Sequence, residues 1–166
     1  PPEAHALVHS INAALAAPNF AVAQRHWPNP ARREPHGWAE KTGQIGATSF
    51  EEVALTQMLF KLDANRQMIA LALAIRLYRL DHAMAWPKNL NELVPNYIPK
   101  LPHDVFAPDG RTYGYVLGTL PRLYSVGENM IDDHGTLAPA TAKGPPGSLP
   151  EPWHGQKDGF VFLTTR

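Results

Sequence analysis

The sequence of 166 residues contains no cysteine, which excludes disulfide bonds, thiolate nucleophiles, cysteine-based zinc sites and c-type haem attachment. It also lacks net charge, because 15 Lys and Arg residues balance 15 Asp and Glu residues. Without surplus positive charge, nothing attracts the whole chain to nucleic acid. We therefore predict no nucleic-acid partner and expect partners to be recognised through shape and local groups of residues.

Long apolar runs are missing as well. The longest strongly apolar stretch covers residues 68–75, well short of the roughly 18 residues that indicate a membrane-spanning helix. The sequence opens on Pro1-Pro2 and shows no basic and apolar leader. We predict no membrane span within these residues, whereas a membrane anchor upstream of Pro1 stays compatible with the sequence.

Proline is abundant, with 17 residues, and its distribution divides the chain. Residues 3–16 have the three- and four-residue apolar spacing of a helix. Residues 18–48 are rich in Pro, Gly and polar side chains and keep no period, so we predict a long loop there. The sequence thus predicts an N-terminal helix with a proline-rich arm over residues 1–48, followed by a domain over residues 49–166.

A long helix is predicted at the start of that domain. The segment Ser49-Phe-Glu-Glu52 matches a capping box, in which the serine and the second glutamate satisfy free backbone amides. We therefore predict a helix over residues 49–82, and we expect residues 68–75, which are apolar nearly all round, to be covered on two sides. The side chains predicted to form the buried stripe recur at helical spacing: Leu55, Leu59, Leu62, Ile69, Leu73, Leu77 and Leu80.

Short strands are predicted in the rest of the domain. Asn89 can cap a second, short helix that Pro95 ends. Residues 111–118 and 122–127 are aromatic and β-branched and should form a hairpin, and residues 159–165 read as a closing strand. The fold class predicted from these patterns is α+β, with one long helix packed on a small antiparallel sheet.

Several motifs in this domain occur in the order found in a known family. Residues 93–97 read LVPNY, residues 101–104 read LPHD, and residues 124–133 read YSVGENMIDD. Together with the helix before them they resemble the major pseudopilin of type II secretion systems and related pilin-like proteins. The resemblance implies a pilin-like fold and a non-catalytic structural or assembly role in a secretion or cell-envelope complex. It also implies an extracytoplasmic location, in the periplasm or cell envelope, with other protein subunits as partners.

Calcium is a further implication of the resemblance, since many members of that family hold the ion in a loop between late strands. Calcium takes six to eight oxygen ligands. Carried over to this sequence, the resemblance implies side-chain oxygens from Ser125, Asn129, Asp132 and Asp133, and backbone carbonyls from Leu123 and Gly127. An alternative stays open, in which Asn129, Asp132 and Asp133 only cap turns in water.

Two other functions are compatible with the sequence. The arm 1–48 and the loop 135–157 could wrap a partner protein, which would make the chain a binding subunit of a larger complex. The second is an extracytoplasmic metal-dependent hydrolase, whose metal ligands would come from the histidines that stand beside aspartates in the sequence. No motif places two histidines on one face or a serine on a nucleophile elbow, so we predict no enzyme. The residues concerned are Asp81-His82, His103-Asp104, Asp133-His134 and His154.

Overall fold

The computed structural model describes residues 2–27, 44–119, 121–136 and 159–162. By compactness the chain divides into unit 1, Pro1–Leu62, and unit 2, Asp63–Arg166. The division falls within a helix, whereas the sequence placed a boundary at 48/49. That predicted boundary stays a prediction, because the residues directly before Gln44 lie outside the described part of the chain.

Unit 1 contains the helices α1 (Pro2–Leu15) and α2 (Phe20–Gln24). The predicted N-terminal helix is thereby confirmed, but α2 lies where the sequence predicted a loop. Asn19 starts α2, since its side-chain oxygen accepts a hydrogen bond from the amide of Val22 at 3.0 Å. Phe20 is fully buried, with its ring edge-on to those of Trp27 and Phe60, each 5.5 Å away between centroids.

The long helix α3 spans Gln44–Asp81. Its predicted end is confirmed to within a residue, and the chain leaves it through left-handed conformations at Ala83 and Met84. Its predicted start at Ser49 is wrong, because the helix begins at Gln44. The four-residue capping pattern depends only on residue types, and the same pattern can also occur in the interior of a helix.

The predicted buried stripe of α3 is also wrong. Its seven members are between 39% and 69% exposed, while Met68, Leu71 and Ile75 are at most 1% exposed and form the buried face of α3 in unit 2. Because both faces are apolar at helical spacing, periodicity alone could not decide which one meets the core. The second cover expected over residues 68–75 is not seen on Ile69 and Leu73, which are more than half exposed.

Unit 2 adds a small sheet to its part of α3. β1 (Gly114–Val116), β2 (Arg122–Ser125) and β3 (Gly159–Phe162) form an antiparallel sheet in the order β1-β2-β3. Tyr115 pairs with Leu123, and Leu123 pairs with Val161. The predicted hairpin and the α+β class are confirmed. Of the predicted closing strand 159–165, the last three residues lie outside the described ranges.

The segment between α3 and the sheet contributes to the same core. A short 3-10 helix, Leu90–Leu93, follows Asn89, whose side chain accepts a hydrogen bond from the amide of Asn91 at 3.0 Å. Leu93 and, further along, Phe106 are fully buried. The predicted cap and short helix are therefore confirmed, and this segment contributes Leu93 and Phe106 to the core of unit 2.

Candidate functional site

The exposed apolar face of α3 is the feature of unit 2 that most needs a functional explanation. It consists of Ile69, Leu73, Leu77 and Leu80, which are 53%, 56%, 52% and 69% exposed. Spacings of three and four residues place these side chains in one row along the helix. Single exposed leucines are ordinary, but a contiguous apolar row on a folded protein typically marks an interaction surface.

The part of α3 that belongs to unit 1 has exposed apolar side chains of its own. Leu55, Met58 and Leu62 are 52%, 55% and 52% exposed, and Leu59 is 39% exposed. Phe60 and the buried Thr56 lie on the other side of this segment, where Phe60 meets Phe20. In each unit, therefore, α3 buries one side and leaves a leucine-rich side open.

Hydrogen bonds fix the rotation of α3 in unit 2. The hydroxyl of Tyr113 donates to Oε1 of Gln67 at 3.2 Å, and the hydroxyl of Tyr78 donates to Oε2 of Glu92 at 2.6 Å. Near the end of the helix the hydroxyl of Tyr97 donates to Oδ2 of Asp81 at 2.9 Å. These bonds reach the helix from three different segments, so the exposed apolar face cannot turn inward without breaking them.

The end of the buried face carries a charge rather than an apolar side chain. Arg79 is 6% exposed, and its guanidinium carbon lies 3.7 Å from the centroid of the Trp86 ring. Its Nε donates to the carbonyl of Met84 at 3.2 Å, while its own carbonyl accepts the amide of Met84 at 2.7 Å. Arg79 thus joins the last turn of α3 to the chain that follows.

Three of the residues predicted to bind calcium are buried and lie in β2 or directly after it. Leu123 and Ser125 are fully buried, and Gly127 is buried as well. The hydroxyl of Ser125 donates to Oδ1 of Asp104 at 2.8 Å and accepts the amide of Gly127 at 3.2 Å. The side-chain oxygen of Ser125 is therefore directed into the core.

Asp104 organises this buried polar group. The carboxylate is 2% exposed and accepts the amides of Phe106 at 3.0 Å and Val126 at 2.8 Å in addition to the Ser125 hydroxyl. Burial raises the pKa of Asp104 above its usual value, although these hydrogen bonds act in the opposite direction. Asp104 thereby connects the segment before β1 to the end of β2.

The other predicted calcium ligands lie in the loop 127–136. Asp132 accepts the amide of His134 at 2.8 Å and the hydroxyl of Tyr124 at 3.0 Å on Oδ1, and Nη1 of Arg111 at 2.7 Å on Oδ2. Asn129 accepts the amide of Ile131 at 3.1 Å and donates to Oδ2 of Asp133 at 3.3 Å. The structure therefore separates Ser125 from the three residues of the loop, and the calcium site itself stays a prediction.

Close backbone approach to Tyr124 shapes this loop. A Cβ atom on Gly114 would lie 2.1 Å from the Tyr124 ring, and one on Gly135 would lie 2.9 Å from it. Gly135 also has a φ of +63°, a conformation that favours glycine. Glycine at both positions thus lets the Tyr124 ring approach the backbone closely while its hydroxyl donates to Asp132.

The histidines considered for a metal site are spread over unit 2. Nδ1 of His82 lies 2.8 Å from the carbonyl of Tyr78, while Nδ1 of His103 is bonded to the carbonyl of Gly110. His134 lies 3.6 Å from Asp132, and His154 is outside the described ranges. In the part of the chain that the structure describes, no group of three or more His, Asp or Glu side chains converges as metal ligands would.

Among the described residues, no helix combines the length and the apolar character that a membrane span requires. α3 is long enough, but charged residues such as Lys61, Asp63 and Arg66 interrupt it.

Comparison with known proteins gives no relative. No family model matches the chain, and no curated protein and no solved structure matches it either. The pseudopilin resemblance therefore rests on the short motifs of the sequence alone.

Sequence reasoning missed two features of this region. An aspartate next to Val105 and Phe106 was a usable signal for the buried Asp104, because an acid among apolar neighbours is stable only when it is hydrogen-bonded. Arg111 offered no comparable signal. Its contact with Asp132 joins residues far apart in the sequence, and such a pair is created by the fold alone.

Proposed function

We propose that this chain is a non-catalytic, pseudopilin-like structural module that assembles with further copies through the exposed apolar face of α3. The proposal is carried by one observation: Ile69, Leu73, Leu77 and Leu80 stand in a row on a helix whose opposite side is already buried. In water, covering such a row with a second apolar surface is favourable by roughly 25 cal/mol per Å² of apolar area buried.

The order of motifs along unit 2 gives this proposal its pseudopilin character. A long helix followed by a small antiparallel sheet is compatible with the pilin-like fold that the resemblance implies, and this order supports the proposal. Location in the periplasm or cell envelope, as part of a secretion-related assembly, follows from the same resemblance and belongs to the proposal. The alternative of a binding subunit depends on the arm 1–48 and the loop 135–157, of which residues 28–43 and 137–157 lie outside the described ranges.

Self-association of the purified chain tests the proposal. Sedimentation equilibrium of the unmodified protein should show a concentration-dependent oligomer. The double variant Leu73→Gln/Leu77→Gln should weaken the association by about tenfold or more, since two central apolar side chains are lost from the contact. At concentrations low enough to keep both proteins monomeric, its unfolding midpoint should stay close to that of the unmodified protein, because both side chains are exposed in the single chain.

A matched control separates the face from general hydrophobicity. Leu117 and Ile131 are 51% and 60% exposed and lie outside α3. The double variant Leu117→Gln/Ile131→Gln removes the same number of exposed apolar side chains and should associate like the unmodified protein. A chain that stays monomeric at every concentration, or an equal loss in both double variants, would contradict the proposal.

A further inference from the structure

The pilin-like resemblance implies calcium in the region of loop 127–136, and the structure allows that implication to be tested against the residues present. A calcium site needs six to eight oxygens that converge on one point and are not already engaged. Six residues were expected to supply them. The hydrogen bonds that these residues already make decide which of their oxygens remain available to an ion.

The oxygens expected from Leu123 and Ser125 are engaged away from the loop. Leu123 belongs to the central strand β2, whose backbone groups pair with β1 on one side and β3 on the other. Ser125 has its hydroxyl bonded to Asp104 in the core at 2.8 Å and is fully buried. Moving this hydroxyl toward the loop would leave a buried carboxylate oxygen with one donor fewer, which is costly.

The loop residues are engaged with one another and with Arg111. Both oxygens of Asp132 carry hydrogen bonds, and the side-chain oxygen of Asn129 is occupied by the amide of Ile131 at 3.1 Å. The amide nitrogen of Asn129, and not its oxygen, is directed at Asp133. The donor set that the resemblance implies does not fit a calcium ion in this arrangement.

A positive charge is nevertheless present at this place. The guanidinium of Arg111 donates through Nη1 to Asp132 at 2.7 Å and through Nε to Asp109 at 2.8 Å, and its Nη2 forms an ion pair with Oδ2 of Asp109 at 2.8 Å. Asp109 belongs to the turn before β1, and Asp132 belongs to the loop after β2. The planar fork of arginine suits such a bridge, because it presents several fixed donors to two carboxylates at once.

We propose that in this chain the guanidinium of Arg111, and not a bound calcium ion, neutralises Asp132 and joins loop 127–136 to the turn before β1. The loop has a strong need for such a tie. Gly127, Met130, His134 and Gly135 all adopt positive φ angles, between 56° and 70°. Glycine tolerates this conformation, but Met130 and His134 rarely populate it without support from the surrounding structure. This inference concerns the loop alone and does not depend on assembly through α3.

Thermal unfolding with and without calcium is the first test. The melting temperature of the purified chain should be the same after chelation and in millimolar calcium, and millimolar magnesium should give the same value. A rise caused by calcium but not by magnesium, and lost in the variant Asp132→Asn, would overturn the proposal.

Local hydrogen exchange is the second test, because it reports on the loop even where global stability hardly changes. The amides of Met130, His134 and Thr136 are hydrogen-bonded inside the loop. In the variant Arg111→Met they should exchange about fivefold faster, which corresponds to the free energy of a single exposed ion pair. Arg111→Lys should recover only part of the protection, since lysine keeps the charge but not the fork.

Arg66 provides the matched control. It pairs with Asp63 at 2.7 Å, but within one turn of α3, so it joins no separate segments. The variant Arg66→Met loses an arginine and an aspartate contact of the same length and should leave the exchange of loop 127–136 unchanged. Equal exchange in Arg111→Met and in the unmodified protein would show that the guanidinium does not hold the loop.

Discussion

The two faces of α3 in unit 2 differ in exposure although their chemistry is similar. On one side Met68, Leu71 and Ile75 are at most 1% exposed, while on the other Leu73 and Leu77 are more than half exposed. Both rows have helical spacing, and both consist of large aliphatic side chains. A helix with two apolar rows can bury either of them. The contacts made by neighbouring segments decide which row faces the core.

Leucine-to-alanine replacement on the two faces should give the largest contrast. Leu71→Ala should lower the free energy of unfolding by about 2–5 kcal/mol, because it removes buried carbon and leaves a cavity. Leu73→Ala should change it by no more than about 0.5 kcal/mol, since the side chain is exposed and alanine is a good helix former. Urea unfolding of the two variants, at concentrations low enough to keep the chain monomeric, measures both values. Equal losses would mean that Leu73 is also covered in the isolated chain.

The polar part of the core offers the next contrast. Asp104→Asn should lower the free energy of unfolding by about 1–3 kcal/mol, because an amide group cannot accept hydrogen bonds at both positions and leaves a buried donor unpaired. Asp109→Asn, at an exposed carboxylate that only meets Arg111, should have a much smaller effect. Chemical denaturation of the two variants provides the comparison, and similar losses would place the two carboxylates in the same environment.

The smallest effect on the free energy of unfolding is expected from Tyr115, whose ionisation matters only at alkaline pH. Burial, together with the nearby charge of Glu92, raises the pKa of Tyr115 to about 12. A pKa above the ordinary value of 10.0 means that the native state holds the proton more tightly than the unfolded state does. The stabilising contribution is therefore complete below pH 10 and is lost as the pH rises through the raised value.

The variant Tyr115→Phe isolates that contribution. The hydroxyl of Tyr115 is buried without a hydrogen-bond partner, so its removal should raise the free energy of unfolding near pH 7 by up to about 1 kcal/mol. The variant should also lose less stability than the unmodified protein between pH 10 and about 12. Tyrosinate absorbance and circular dichroism, followed together during titration, measure both effects, and parallel curves for the two proteins would contradict the assignment.

Much of the local structure in unit 2 could be predicted from single segments. Asn89 before Leu90 gave the cap of the 3-10 helix, and the two aromatic segments separated by a turn gave the β1-β2 hairpin. These features depend on a few neighbouring residues, so their signals are contained in the sequence. The predicted start of α3 was wrong because a local capping pattern does not prevent the helix from extending further upstream, to Gln44.

The candidate site was predictable only in its composition. Asp132 and Asp133 lie in a polar loop, yet the partners of Asp132 include Arg111 and Tyr124, which come from other segments. Ser125 was grouped with them because it is close in sequence. A strand, however, directs successive side chains to opposite sides, and this one directs Ser125 to Asp104 in the core.

By itself the sequence determined that a long helix, a short capped helix and a hairpin would form, and that no cysteine chemistry would take part. Tertiary structure decided which apolar row of α3 is buried and which carboxylate meets Arg111. The physical reason is that backbone propensity and capping act over a few residues, whereas burial and ion pairing depend on segments that only the folded chain brings together.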